Sequence, residues 1–95
     1  MSQTLGALIA DAQEAYVTAA VTYQGASIDQ KVQSKPDLDK AASHLAALQA
    51  RQLDSATEVD AADEAEMATL RQQVNDAATL QTGLLKLVSI LSKFI

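Results

Sequence analysis

The amino-acid composition of the sequence predicts an all-α fold. Leu and Ala dominate, glycine occurs three times and proline once, and runs of β-branched or aromatic residues are missing. Such a composition favours helix over strand along nearly the whole chain. We therefore expect one small domain, built as a helical hairpin or a three-helix chain with a long C-terminal amphipathic helix, that assembles into a helical filament. A chain of 95 residues also leaves much of its surface outside its own core, so a partner surface is expected.

Charge and cysteine content exclude several classes of function. The formal net charge is −5, and the seven basic residues are scattered along the chain. Nucleic-acid binding requires clustered Lys and Arg, so nucleic acid is not an expected partner. The absence of cysteine excludes a disulfide framework and thiol chemistry.

The first helix is predicted over about residues 3–33. Its apolar positions alternate in steps of four and three, which is the spacing of a seam for a second helix, and they are Leu5, Ile9, Ala12, Tyr16, Ala19 and Tyr23. Gly25 and Ser27 weaken this helix. The stretch "SKPD" ends it at a turn over residues 34–36, because a residue before proline is pushed out of the α region.

The second helix is predicted over about residues 37–53. Ser34 is a candidate N-cap with Asp37 three residues later, a variant of the capping box. The apolar positions that follow are Leu38, Ala41, Leu45 and Leu48.

An acidic stretch separates this helix from the last one. Six of the twelve acidic residues lie between positions 54 and 66, with no Lys or Arg among them. We predict an acidic turn over about residues 54–60, where Ser55 and Glu58 form an S-x-x-E box, and one helix over about residues 61–94. A continuous helix from Asp37 to the C-terminus is the rival interpretation. The acidic residues lack the spacing of a calcium-binding loop, so a solvated helix face is favoured over a metal site.

The last helix has the clearest pattern in the chain. Apolar positions repeat in steps of three and four from Met67 to Ile95. Beyond Gly83 they widen to an arc of roughly 160°. A single neighbouring helix does not cover such an arc, and a small hairpin supplies only one neighbour, so other copies or a partner are expected there. A close approach of helices is the preferred explanation for Gly83 itself.

The run "RQQVNDAATLQTGLLKLVSI", residues 71–90, resembles the second-helix region of type III secretion needle subunits. The matching features are a Gln pair, small residues, an apolar run around a lysine and an apolar C-terminus: Gln72, Gln73, Thr82, Gly83, Leu84, Leu85, Lys86, Leu87, Val88, Ile90, Leu91, Phe94 and Ile95. The resemblance implies a helical subunit that polymerises into a hollow needle through which secreted proteins pass. It also implies small helical chaperones that shield the last helix before export.

On this hypothesis the chain is a self-assembling homo-oligomer and not an enzyme, and no cofactor is expected. Its assembly interface is predicted at Leu84, Leu87, Val88, Leu91, Phe94 and Ile95. No arrangement of acid, base, nucleophile, Gly-rich loop or metal ligands is visible. The single histidine, His44, is interpreted as a surface or boundary residue, and Tyr16 and Tyr23 as seam residues.

Two other classes of function stay open. The first is a small helical chaperone or adaptor that binds a partner through its C-terminal helix, and the second is a membrane-active amphipathic helix. The apolar tail from Leu84 to Ile95 carries two lysines and is shorter than the roughly 20 residues that span a bilayer. No signal peptide is expected at the start. The needle hypothesis thus predicts export by a dedicated machine to the cell surface or medium, and the adaptor hypothesis a cytoplasmic location.

Overall fold

The fold is all-α, which confirms the predicted fold class. The computed structural model describes residues 4–50 and 59–94. Four helices occur in these ranges: α1 (Leu5–Gln24), α2 (Ile28–Gln49), α3 (Ala61–Gln73) and α4 (Leu80–Ser92). Most of the acidic turn predicted over residues 54–60, the end of the helix predicted to reach residue 53, and Ile95 lie outside the described residues.

The first helix ends at Gln24, and residues 25–27 connect it to α2. The prediction of one helix to residue 33 was therefore wrong. Ser27 Oγ accepts a hydrogen bond from Gln30 N at 3.2 Å, and Gln30 Oε1 accepts one from Ser27 N at 3.1 Å. This reciprocal capping box satisfies two N–H groups that a new helix end leaves unpaired, and it begins α2 at Ile28. Gly25, two residues before the box, is the C-cap of α1, and its low helix propensity favours a helix end there.

Pro36 lies inside α2, so the turn predicted at residues 34–36 was also wrong. Ser34 is no N-cap but a buried residue of that helix, 2% exposed. Proline leaves the carbonyl of Val32 without its usual N–H partner, and both residues are exposed, so this carbonyl is open to solvent. The opposite side of α2 packs into the core and holds the helix together through Leu38, Ala41, Leu45 and Leu48.

The helix predicted over residues 61–94 begins where expected, at Ala61, but it is interrupted at residues 74–79. Asp76 Oδ1 accepts a hydrogen bond from Ala78 N at 3.0 Å, and Thr79 Oγ1 donates one to the Gln73 carbonyl oxygen at 2.6 Å. Short polar side chains that bind nearby backbone groups compete with helix in this way. The rival prediction of one helix from Asp37 to the C-terminus was wrong too, because α2 ends at Gln49.

The four helices enclose one apolar core. Helix α1 packs against α2 and α3, α4 packs against the same two helices, and α1 and α4 meet across the bundle. On α1 the buried residues beyond Leu8 are all alanine, which allows neighbouring helices to approach closely. The large side chains of the core that are 2% exposed or less are Leu8, Leu48, Val59, Met67, Leu70, Val74, Leu80, Leu84, Leu87, Ile90 and Leu91.

An ion pair joins the end of α4 to the start of α3. Lys93 Nζ lies 2.8 Å from Asp63 Oδ1, and the side chains are 54% and 8% exposed respectively. The contact shows that α3 and α4 are antiparallel neighbours. It lies at the end of these two helices that is opposite the 74–79 connection. The hydrogen bond that Lys93 donates to Asp63 raises the pKa of Lys93 above its ordinary value of 10.5.

We expect the contribution of Lys93 to stability to disappear at high pH. Because the folded pKa is raised, the ion pair stabilises the fold fully below pH 10.5, and the stabilisation is lost as the pH rises through the folded pKa. Urea unfolding of the wild type and of Lys93→Met should show a difference in midpoint at pH 7 that shrinks above pH 10.5. Lys40→Met, which removes an exposed lysine from α2, is the control. Equal midpoints for wild type and Lys93→Met at pH 7 would contradict the prediction.

Candidate assembly interface

The predicted assembly residues all lie on α4 or directly after it, and most of them face the interior of the bundle. Leu84, Leu87 and Leu91 are each 0% exposed. Val88 and Phe94 are partly buried and pack against the same core. Ile95 is not among the described residues. The structure therefore brings the described members of this set together, but as part of the chain's own core.

The expectation that α4 needs neighbours from outside the chain was wrong in its premise. It assumed a hairpin, in which only one helix covers α4. The described part of the chain instead forms four helices, and α4 contacts the other three. The wide apolar arc of α4 is therefore satisfied within one copy of the chain.

Gly83 of α4 packs closely against the end of α3. A Cβ atom built on Gly83 would lie 2.7 Å from Val74 Cγ1 and 3.2 Å from Gln73 Cβ. These separations are shorter than ordinary van der Waals contacts, and the β-branched side chain of Val74 is stiff and 0% exposed. The interpretation of Gly83 as a residue of close helix packing is thus confirmed.

One polar atom near this contact is buried without a partner. Gln73 Oε1 accepts no hydrogen bond from the part of the chain that the structure describes. Its backbone carbonyl, by contrast, accepts the hydrogen bond from Thr79 that closes the connection to α4. Gln73 therefore anchors the turn through its main chain.

The structure also locates the two tyrosines and the single histidine that the sequence analysis discussed. Tyr16 and Tyr23 pack against the core, as their interpretation as seam residues predicted. His44 is partly exposed on α2. In residues 4–50 and 59–94, no group of three His, Asp or Glu side chains is placed to hold a metal ion.

An exposed apolar patch that the sequence analysis missed lies on the α1–α2 hairpin. We call the four residues Val17, Val21, Ile28 and Val32 the hairpin patch; they are 60%, 68%, 80% and 69% exposed. The signal was present in the sequence as two pairs of β-branched residues four positions apart, with no charged residue over positions 15–28. This signal did not predict a surface, because neither pair occupies the helix positions whose spacing indicates a core.

A groove continues from the hairpin patch along the same two helices. Its volume is about 850 Å³, and it shares Val17 with the patch. Small and uncharged side chains form much of its lining, among them Ala10, Gln13, Ala42 and Ala46. Arg71 of α3 also lines the groove, and its Nη2 lies 3.0 Å from Glu14 Oε2.

Comparison with known proteins adds no relative. The chain matches no protein-family model, no curated protein and no solved structure. None of the helices described here is both long and apolar enough to cross a membrane. The physical properties of α4 and of the hairpin patch therefore carry the functional argument.

Proposed function

We propose that this chain is a self-assembling structural subunit that polymerises by exchanging α4 between copies. The observation that carries the proposal is the burial of α4 against all three other helices of its own chain. A copy that places α4 in the equivalent site of its neighbour forms the same contacts between chains. Such exchange is a low-cost route to association, because nothing in the interface has to be newly evolved.

The energetics favour exchange over simple exposure of α4. Five Leu and Ile side chains of α4 are 2% exposed or less. Leaving them in water would forgo on the order of 10 kcal/mol, since each such side chain contributes about 1.5–3 kcal/mol when buried. Release of α4 is therefore tolerated only where another copy provides an equivalent site.

Successive exchange produces an open filament. If each copy gives its α4 to the next and receives one from the previous copy, the contact is heterologous, and it extends without limit unless the rotation closes a ring. The resemblance of residues 71–90 to type III secretion needle subunits supports a needle-like helical filament that serves as a conduit for exported proteins. Small helical chaperones would then bind α4 before export.

Electron microscopy of the concentrated full-length protein, beside its sedimentation profile, tests the proposal. We expect uniform filaments with a central channel, and a circular dichroism spectrum that stays helical in the sedimented fraction. A monodisperse small species at every concentration would contradict the proposal and favour the adaptor class. Filaments with a β-sheet spectrum would contradict it as well, because they would arise by unfolding and not by exchange of α4.

A further inference from the structure

We propose that the outer face of the α1–α2 hairpin, comprising the hairpin patch and the adjoining groove, binds the same face of a second copy of this chain. The inference deepens the proposed self-assembly by giving each copy a second contact surface, and its role in a filament rests on that proposed function. The pairing itself leaves α4 packed in its own bundle.

The hairpin patch lies on a part of the molecule that contributes little to the core. No residue between Ala19 and Ser34 is fully buried. Val17 and Val21 are one turn apart on the side of α1 away from its buried alanines, and Ile28 and Val32 are one turn apart on α2. The three-residue connection between the helices places Val21 and Ile28 at the same end of the hairpin. Four aliphatic side chains of this hairpin are thus each at least 60% exposed.

Charge indicates which partner fits this face. Two copies of a chain with a net charge of −5 repel each other, so they associate best where each presents least charge. Positions 15–28 carry no charged residue, and this stretch includes three members of the hairpin patch. On α2, beside Val32, Lys31 lies over the Tyr23 ring and Lys35 pairs with Asp39 at 3.0 Å. These lysines are engaged within their own copy, so this face presents less free charge to a nucleic acid, an anionic lipid surface or a basic partner than those partners require. An identical face, with its charges paired in the same way, meets neither objection.

The size of the face also fits a second copy. Helices of 20 and 22 residues are about 30 Å long. Two such helices side by side present a face about 20 Å wide, or roughly 600 Å² per copy. A symmetric pair would therefore bury about 1,200 Å² in total, which reaches the lower end of stable protein–protein interfaces.

The groove gives the pair a means of interlocking. Its alanines leave a depression between α1 and α2 beside the protruding side chain of Val17. In the proposed pair Val17 of one copy enters the depression of the other, and two-fold symmetry repeats that contact because the same patch serves both subunits. The Glu14–Arg71 ion pair at the groove keeps these two charges neutralised next to the contact.

Sedimentation equilibrium of the double variant Val21→Glu/Val32→Glu tests the pairing, at concentrations below the onset of filaments. We expect a dimer for the wild type and at least about tenfold weaker dimerisation for the variant, as for central residues of an interface. The control is Ala65→Glu/Leu85→Glu, which adds the same two negative charges at exposed positions of α3 and α4 and should dimerise like the wild type. Circular dichroism should be unchanged in both variants, because all four positions are exposed.

Several outcomes would overturn the inference. A wild type that remains monomeric, equal dimerisation of the two double variants, or a monomer that floats with phosphatidylcholine vesicles would each do so, the last by assigning the patch to lipid. Filaments that grow normally from the Val21→Glu/Val32→Glu variant would contradict this second surface alone. A stable dimer without any filament would contradict the proposed function alone.

Discussion

Leu87→Ala is expected to lower the free energy of unfolding of the single chain by about 2–5 kcal/mol. Leu87 is 0% exposed and belongs to the core formed by all four helices. Truncation removes three buried carbon atoms and leaves a cavity that rigid helices fill only in part. The effect is large for a domain whose total stability is about 5–15 kcal/mol.

Urea unfolding at a concentration where the protein is monomeric measures this effect. Leu85→Ala is the matched control, because Leu85 lies two positions earlier on α4 and is 50% exposed. We expect Leu85→Ala to change the stability by less than about 0.5 kcal/mol, as is usual for surface positions. If Leu87→Ala left the monomer fully stable and abolished only association, Leu87 would be an interface residue and not a core residue.

The all-α class and the apolar stripe of the last helix were predictable from the sequence because both depend on local properties. Helix-forming composition acts residue by residue, and a repeat of three and four positions places Leu84, Leu87 and Leu91 on one face whatever covers them. The partner of that face was not predictable. A stripe that packs against its own chain and one that packs against a neighbouring copy have the same spacing.

The predicted helix boundaries were wrong where two local sequence signals competed. Pro36 is the strongest single breaker in the chain, yet α2 continues through it, because tertiary packing on the opposite side compensates for the lost backbone hydrogen bond. Ser27 and Gln30 carried the weaker sequence signal and formed the actual helix start. Propensity is a weak prior, and the packing that decides between such signals involves residues distant in the chain.

Burial of α4 in its own core and self-assembly through α4 are compatible, because the same helix face serves in both. The site that covers α4 is built by α1, α2 and α3, and every copy of the chain has one. Which copy provides the site depends on whether the 74–79 connection turns the chain back. That turn is held by the polar side chains of Asp76 and Thr79, so the proposed exchange of α4 would depend on the sequence of this connection.

We expect the triple variant Asn75→Ala/Asp76→Ala/Thr79→Ala to convert the protein from compact species to long oligomers. The substitutions remove the side-chain hydrogen bonds that close the turn and replace three residues of modest helix propensity with the most favourable one. Residues 61–92 would then form one helix about 48 Å long. In such a helix α4 cannot fold back onto its own α2, so it has to pack in the site of another copy.

Sedimentation velocity and electron microscopy of the triple variant should show extended assemblies at concentrations where the wild type is small, with equal or higher helix content by circular dichroism. The control Ser43→Ala/Thr69→Ala/Ser89→Ala makes the same kind of change at exposed positions within helices and should behave like the wild type. A compact monomer with unchanged helix content would mean that packing alone holds the turn. In that case exchange of α4 would not be governed by this connection, and the filament would need a different contact.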